Sequence, residues 1–423
     1  MIATALVLLA LAAPTDTLVV SAAGPYRSVS AAVAGAPPHA RIRVMPGTYR
    51  EPTIVIDRPL TLEGVPGAVL DGEGKRQLIR VHADSVTIRG LTLRDVGVSH
   101  IDDRAAITVE GASWCRIEGN RIENAFFGIY LANSGWCRIE GNVLEGRSIR
   151  ETAAGNGIHL WHSKEVLIRG NTVRGHRDGI YFEFVEDSRV ERNHADANLR
   201  YGLHFMFSDR CAYRHNSFTG NHAGIAVMYT KNVTMASNRF ARHRGTASFG
   251  LLLKDITDSR LSGNVFAGNT VAILAEGVNR TEFRDNTFDR NGWAVKLMAN
   301  SEDNLFTGNA FEGNTFDVAT NSRRSYSTFR ENWWDRYGGY DLDRDGYGDV
   351  AFRPVRLFSL VVERNAPALV LLRSMFVTLV DLAERVAPVL TPATLIDERP
   401  RMRGAAPWSA STTCTRPSAT GRR

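Results

Sequence analysis

Between residues 66 and 335 apolar and polar positions alternate in short runs, and each run is bounded by Gly, Asn or Asp. This is the two-residue period of strands punctuated by turns, not the 3.6-residue period of helices. The runs recur. Asn falls at 120, 142, 171, 193, 216, 238, 264, 286, 309 and 332, at intervals of 22 to 29 residues. A second register runs in parallel: GIYL (128–131), GIHL (157–160), GIYF (179–182), GLHF (202–205), GIAV (224–227) and GLLL (250–253). The heptapeptide WCRIEGN is even spelled twice, at 114–120 and 136–142.

Several short strands per unit of about 22 residues predict an all-β chain wound as a right-handed parallel β-helix. Equivalent residues then stack about 4.8 Å apart. Ile117 stacks on Ile139, Cys115 on Cys137, and the asparagines form a ladder at one turn. Buried small hydrophobes are the favoured reading of the two cysteines, although an oxidising compartment permits a disulfide. Cys211 lies three coils beyond Cys137, too far to join them. Three coils carry extra residues (90–106, 141–157 and 237–250), all at the same corner, where they should form a rim.

The pattern changes at both ends. Residues 1–13 read as a secretory signal, although they lack the usual basic start. Residues 14–65 supply a short helix and then strands, which suits an N-terminal cap and first coil. The β-helix proper spans 66–335. Residues 336–403 hold an acidic loop and a candidate amphipathic helix at 367–388, with Arg373, Asp381, Glu384 and Arg385 on one third of its wheel. Its apolar face needs a partner: the open end of the β-helix, another protein or a membrane surface. The tail 404–423 has a disordered composition.

Composition removes some functions. The formal charge of +6 comes from six arginines in residues 399–423, and the remaining 45 basic and 45 acidic residues cancel. No nucleic-acid groove is therefore expected. No 18-residue apolar run crosses a membrane, and no CxxC marks a zinc or thioredoxin-like site. Asp341, Asp343, Asp345 and Asp349 match a calcium loop in part, but Phe352 replaces the closing glutamate. A Ca²⁺ site and an acidic turn tied to Arg344 or Arg353 both fit.

Many parallel β-helices act on acidic polysaccharides, which requires carboxyl groups close together on an outward face. Aligning the coils by their Gly register places Tyr130, His159, Tyr181, His204, Ala226, Leu252, Leu274 and Lys296 in one outward row. Ala132, Trp161, Glu183, Met206, Met228, Lys254, Glu276 and Met298 form the next. Glu183 and Glu276 stand four coils apart, roughly 19 Å, which is no dyad; Asp102 and Asp103 sit in an insertion on another edge. His204, Met206 and Met228 are instead adjacent, and imidazole with thioethers is ligand chemistry for Cu(I). Simple packing beneath a loop is the competing reading.

GLHFMFSD (202–209), GIAVMYT (224–230), NWWDRYGGYDLDRDGYGDVAFRPV (332–355) and LFSLVVERNAPALVLLRSMFVTLVDLAERV (357–386) resemble the NosD family. The resemblance covers residues 25–403, and the chain departs from it after Met402 and in its short leader. It implies a periplasmic, non-enzymatic accessory protein on an inner-membrane ABC transporter, with a permease and an ATPase. It also implies delivery of copper or sulfur to the copper centres of nitrous oxide reductase, with a copper chaperone as a further partner. A polysaccharide lyase or epimerase is the alternative function, and a passive adhesion solenoid is a third.

Overall fold

The computed structural model describes residues 17–402, apart from positions 100, 148, 149, 323, 388, 389 and 392. The expected signal segment 1–13, the tail 404–423, Cys414 and the side chain of Arg385 lie outside the described residues. The chain winds as a parallel β-helix. Each coil gives one short strand to each of three parallel sheets, which hold 14, 12 and 13 strands among the described residues. The expected register holds: Arg116, Ile117 and Glu118 pair with Arg138, Ile139 and Glu140. The isoleucines point inward, 1% and 0% exposed, and their neighbours face solvent.

Every letter of the duplicated heptapeptide now has a physical role. Trp114 and Trp136 stack outside the solenoid with ring centroids 5.3 Å apart. Cys115 and Cys137 are buried and free, which agrees with the small-hydrophobe reading. The neighbouring Cys115 thiol, and then burial, push the Cys137 thiol up. Arg116 pairs with Glu118 at 2.6 Å. Gly119 and Gly141 turn the corner at φ +59° and +63°, a left-handed conformation that costs a residue with a Cβ about 1–2 kcal/mol.

The asparagine that follows is a rung. Asn120 donates from its backbone N–H (2.9 Å) and from Nδ2 (3.0 Å) to Oδ1 of Asn142, and Nδ2 also reaches the Ile88 carbonyl at 3.0 Å. The same bonds repeat to Asn332. There Asp397, returning from beyond the C-terminal helices, accepts from the Asn332 backbone, its Nδ2 and Trp334 Nε1, each at 3.0 Å. A carboxyl thus closes the ladder and the end of the solenoid.

A second ladder stands at the next corner, where Gly175, Gly220, Gly268 and Gly313 precede only some of the rungs. It runs through His176, Asn198, Asn221, His243, Asn269, Asn291 and Asn314. In the later coils the core turns aromatic. Phe218, Phe240, Phe266, Phe288, Phe311 and Trp334 stack in one column, 4.1–5.7 Å between successive rings.

The N-terminal helix is present as α1 (Val29–Gly35), capped by the Ser28 hydroxyl, which accepts from the Ala31 N–H at 3.2 Å. The segments 95–104, 146–157 and 242–248 all leave the thirteen-stranded sheet and enter the twelve-stranded one. The extra residues therefore share a corner, as expected.

The single helix expected at 367–388 is not what forms. An unexpected helix α2 (Leu357–Arg364) comes first, then a 3₁₀ turn (Ala366–Leu371), then α3 (Met375–Val386). The fold between α2 and α3 lets Arg356, just ahead of α2, pair with Asp381 of α3 and lie 3.9 Å from Glu384. Glu384 Oε1 also accepts the first N–H of α2, from Leu357, at 2.7 Å. Ion pairing thus overrides a run of good helix formers.

Candidate functional site

The twelve-stranded sheet carries the two rows read from the sequence, in the register expected. Tyr130, His159, Tyr181, His204, Ala226, Leu252, Leu274 and Lys296 are successive Cα partners. So are Ala132, Trp161, Glu183, Met206, Met228 and Lys254, while Lys254 pairs with Glu276. Met206 and Met228 are direct neighbours across strands, and His204 lies two residues before Met206. Glu276 is held by Lys254 at 3.7 Å, four coils from Glu183.

The first row is more covered than an outward face implies. Tyr and His alternate along it and pack ring to ring: Tyr130 to His159 at 4.8 Å, His159 to Tyr181 at 4.6 Å, Tyr181 to His204 at 5.0 Å. His204 is only 4% exposed, because Tyr201 also lies 4.8 Å from its ring. His159 Nδ1 accepts from Asn156 Nδ2 at 3.2 Å. Burial, reinforced by the Arg177 charge, lowers its pKa to about 3, so it stays neutral. Burial and then the Glu183 charge raise Tyr181 to about 12.

His204 has a partner that the sequence did not disclose. Asp178, fully buried, lies with Oδ2 3.3 Å from His204 Nδ1 and accepts the Tyr201 N–H on Oδ1 at 3.1 Å. Arg177 stands 3.7 Å away on the other side. A carboxyl at Nδ1 favours the proton on that nitrogen and leaves the lone pair of a neutral imidazole on Nε2. Nε2 is buried and has no hydrogen-bond partner among the described residues. Asp178 precedes its Gly by one residue, outside the register followed in the sequence.

A second feature was also missed. One residue past the Met row, at left-handed turns, His162, Phe184, Phe207 and Tyr229 stack at 4.6, 5.2 and 5.1 Å. Phe184, Phe207 and Tyr229 remain 40–44% exposed. The signal was available, since each ring stands five residues after the Gly of its coil.

In the acidic loop, Asp341, Asp343 and Asp345 bring carboxylate oxygens within 4.8 Å of one another. Asp349 is engaged separately, accepting the Leu342 N–H at 2.6 Å. The cation at this loop is Arg399, bound to Asp345 and stacked 4.2 Å from Tyr347. Asp345 is lowered by the Arg399 bond above all. Asp343 is raised on balance: the Asp345 N–H lowers it, and desolvation together with the crowded carboxylates of Asp345, Asp341 and Asp349 outweighs that.

Helix α3 turns its charged side inward, against Arg356. Outward it leaves Met375 (79%), Leu379 (58%), Leu382 (55%) and Val386 (78%) exposed, with Phe376 at 49%. Only part of the apolar surface is buried, where Val377 packs in one cluster with Phe358 of α2 and Phe316 of the solenoid; the residues just named do not bury on it. Helix α2 anchors the pair through Lys296 and Glu363, 2.7 Å apart, on the face that carries His204. Among the described residues no helix is long and apolar enough to cross a membrane.

Comparison with known proteins gives this geometry a family. Residues 144–339 match the family model described as periplasmic copper-binding protein (NosD), and residues 13–230 match a family of unknown function, DUF1565. Among solved structures, the surface adhesin PfbA of Streptococcus pneumoniae superposes with a TM-score of 0.57 at 12% identity, over 69% of this chain and 89% of its own. The catalytic domain of a GH87 alpha-1,3-glucanase gives 0.55 at 13% identity, over 76% and 70%. An adhesin and a hydrolase share these coils, so they speak only for the fold. A Pseudomonas aeruginosa protein named probable ABC transporter binding protein NosD is 34% identical over 370 residues, 82% of this chain and 85% of its own. With a relative 34% identical over more than four fifths of both chains, the chain belongs to the NosD family.

Proposed function

We propose that this chain is a periplasmic, non-enzymatic maturation factor that works with an inner-membrane ABC transporter, its permease and its ATPase. In this reading it helps assemble the copper centres of nitrous oxide reductase by passing on copper, with or without sulfur, received from a copper chaperone. The observation that carries the reading is the buried Nε2 of His204, unpartnered among the described residues, on the strand that also carries Met206, whose Cα partner is Met228. A buried nitrogen without a partner costs about 1–3 kcal/mol, a cost that a bound cation removes. Asp178 at Nδ1 is the orienting partner that metal-bound imidazoles use.

Copper here is cargo. Residues two apart on a strand lie about 7 Å apart and stacked ones about 4.8 Å, so flexible thioethers can close on one ion beside the imidazole. Three soft ligands prefer Cu(I) to Mg²⁺ or Ca²⁺, and the open fourth position suits transfer. The same face argues against a polysaccharide enzyme, because Glu183 and Glu276 are too far apart to act together. Competition with a colorimetric chelator tests the site. Met206→Leu and His204→Ala should each weaken Cu(I) binding at least tenfold, about 1.4 kcal/mol, with unchanged circular dichroism. Parental affinity in both variants would make these residues structural.

The acidic loop is proposed as a weak Ca²⁺ site formed by Asp341, Asp343 and Asp345, with Asp349 nearby. Its expected dissociation constant is about 10⁻⁴–10⁻³ M, the range of extracellular modules. Support comes from the crowding that holds the Asp343 carboxyl above its ordinary value, since a cation relieves such repulsion. Millimolar Ca²⁺ should raise the melting temperature of the parent and not of Asp343→Asn. A melt unmoved in both leaves Arg399 as the counter-charge of an acidic turn.

A further inference from the structure

At the N-terminal end of the same sheet a cleft of about 420 Å³ opens between the first insertion and the turn before the strand Ile79–Val81. Lys75, Arg76, Gln77, Arg80, Asp102 and Arg104 line it. The insertion is clasped over the turn: Arg104 Nη1 donates to the Lys75 carbonyl at 2.8 Å, and the Gly97 N–H to the Arg76 carbonyl at 3.1 Å. The walls are therefore built by two tied segments and not by one loose loop.

The charges in it do not cancel. Arg76 is paired with Glu73, and Arg104 reaches Asp102 at 3.4 Å. Lys75 and Arg80 have no carboxylate within ion-pair distance among the described residues. Arg80 Nη2 instead donates to Gln77 Oε1 at 3.3 Å. That bond fixes which way the Gln77 amide points, and it leaves Nε2 as the end without a partner. Gln77 is 7% exposed, and its Nε2 is buried and without a hydrogen-bond partner among the described residues. A buried amide donor beside an uncompensated guanidinium and an ammonium is a recognition surface for negatively charged oxygen.

We infer that this cleft binds a small molecule with oxyanion groups, held by Arg80, Lys75 and the free N–H of Gln77. Its volume lies within the roughly 300–1,000 Å³ of small-molecule sites. Arg80 presents a planar fork suited to a carboxylate or a phosphate, Lys75 adds a mobile point charge, and Gln77 gives direction. The site does not depend on copper handling. Arg80 belongs to the outward row of His204 but stands five coils before it, roughly 24 Å.

Calorimetry on the full chain with citrate and with inorganic phosphate tests this and tells polycarboxylate from tetrahedral anion. At least one should bind one to one with a dissociation constant below about 1 mM, more weakly as salt rises. Arg80→Gln and Gln77→Glu should each weaken it at least tenfold, the second by turning the free donor into a competing carboxyl. Arg214→Gln, on an exposed strand of the fourteen-stranded sheet, should not change it. Melting curves confirm that each variant is folded. The inference is overturned if neither anion binds in that range, or if Arg80→Gln and Gln77→Glu bind as the parent does.

Discussion

Asp397→Ala should lose about 3–5 kcal/mol of stability in urea denaturation, with the last coils exchanging their amide hydrogens first. The Asp397 carboxyl is fully buried. It accepts from the backbone of Glu331 (3.1 Å), Asn332 (3.0 Å) and Arg399 (3.2 Å), from Asn332 Nδ2 and from Trp334 Nε1. Each buried donor left unpaired costs about 1–3 kcal/mol, although some will reach water once the end frays. In a solenoid each coil is stabilised mainly by its neighbours, so damage at a cap spreads inward from that end. Asp397→Asn is the informative companion. An asparagine oxygen accepts the same pair of bonds on every other rung, so this variant should recover more than half of the loss. A change of less than about 1 kcal/mol in Asp397→Ala would mean that Asp397 is not the cap.

That cap shows where sequence reading runs out. The Asn ladder was legible because each rung is spelled Gly-Asn or Asn at the end of a strand, with a period that fixes its stacking partner. The second ladder was less legible because His176 and His243 replace asparagine in it, and because Ala197, Arg242 and Arg290 stand where the other rungs have Gly. Asp397 carried no signal, since it meets Asn332 across 65 residues that include α2 and α3. The helices failed for a related reason. Apolar periodicity across 367–388 does not register Arg356, which draws Asp381 and Glu384 back toward α2. At the candidate site, His204, Met206 and Met228 followed from alignment of the coils. Asp178 did not, because its side chain serves the strand one coil later. Strand registers predict rows well, whereas long-range polar partners and the burial that goes with them depend on packing.

Replacing Phe376, Leu379 and Leu382 together by Asp should abolish co-purification with the ABC transporter while leaving the melting temperature within a degree or two. The three side chains are 49%, 58% and 55% exposed on the outer side of α3, and the ring contact given up is the 6.4 Å edge contact of Phe376 with Phe358, so charges there cost the folded chain little. In an interface they would be desolvated without partners, at several kcal/mol each. The charged side of α3 is already spent on Arg356, which leaves the apolar side as the one available for docking, and a contiguous exposed patch of this kind marks an interaction site. Deleting everything after Arg364 is a poorer test than it looks from sequence, because it also removes Asp397 and opens the solenoid. The position of the helices adds a functional reason. Lys296, which fixes α2 through Glu363, is four coils from His204 along one row, roughly 19 Å. A transporter seated on α3 would stand beside the face proposed to hold copper. Vesicles provide the contrasting arm: if the parent floats with protein-free liposomes and the triple variant still co-purifies with the permease, α3 contacts lipid and the docking reading fails.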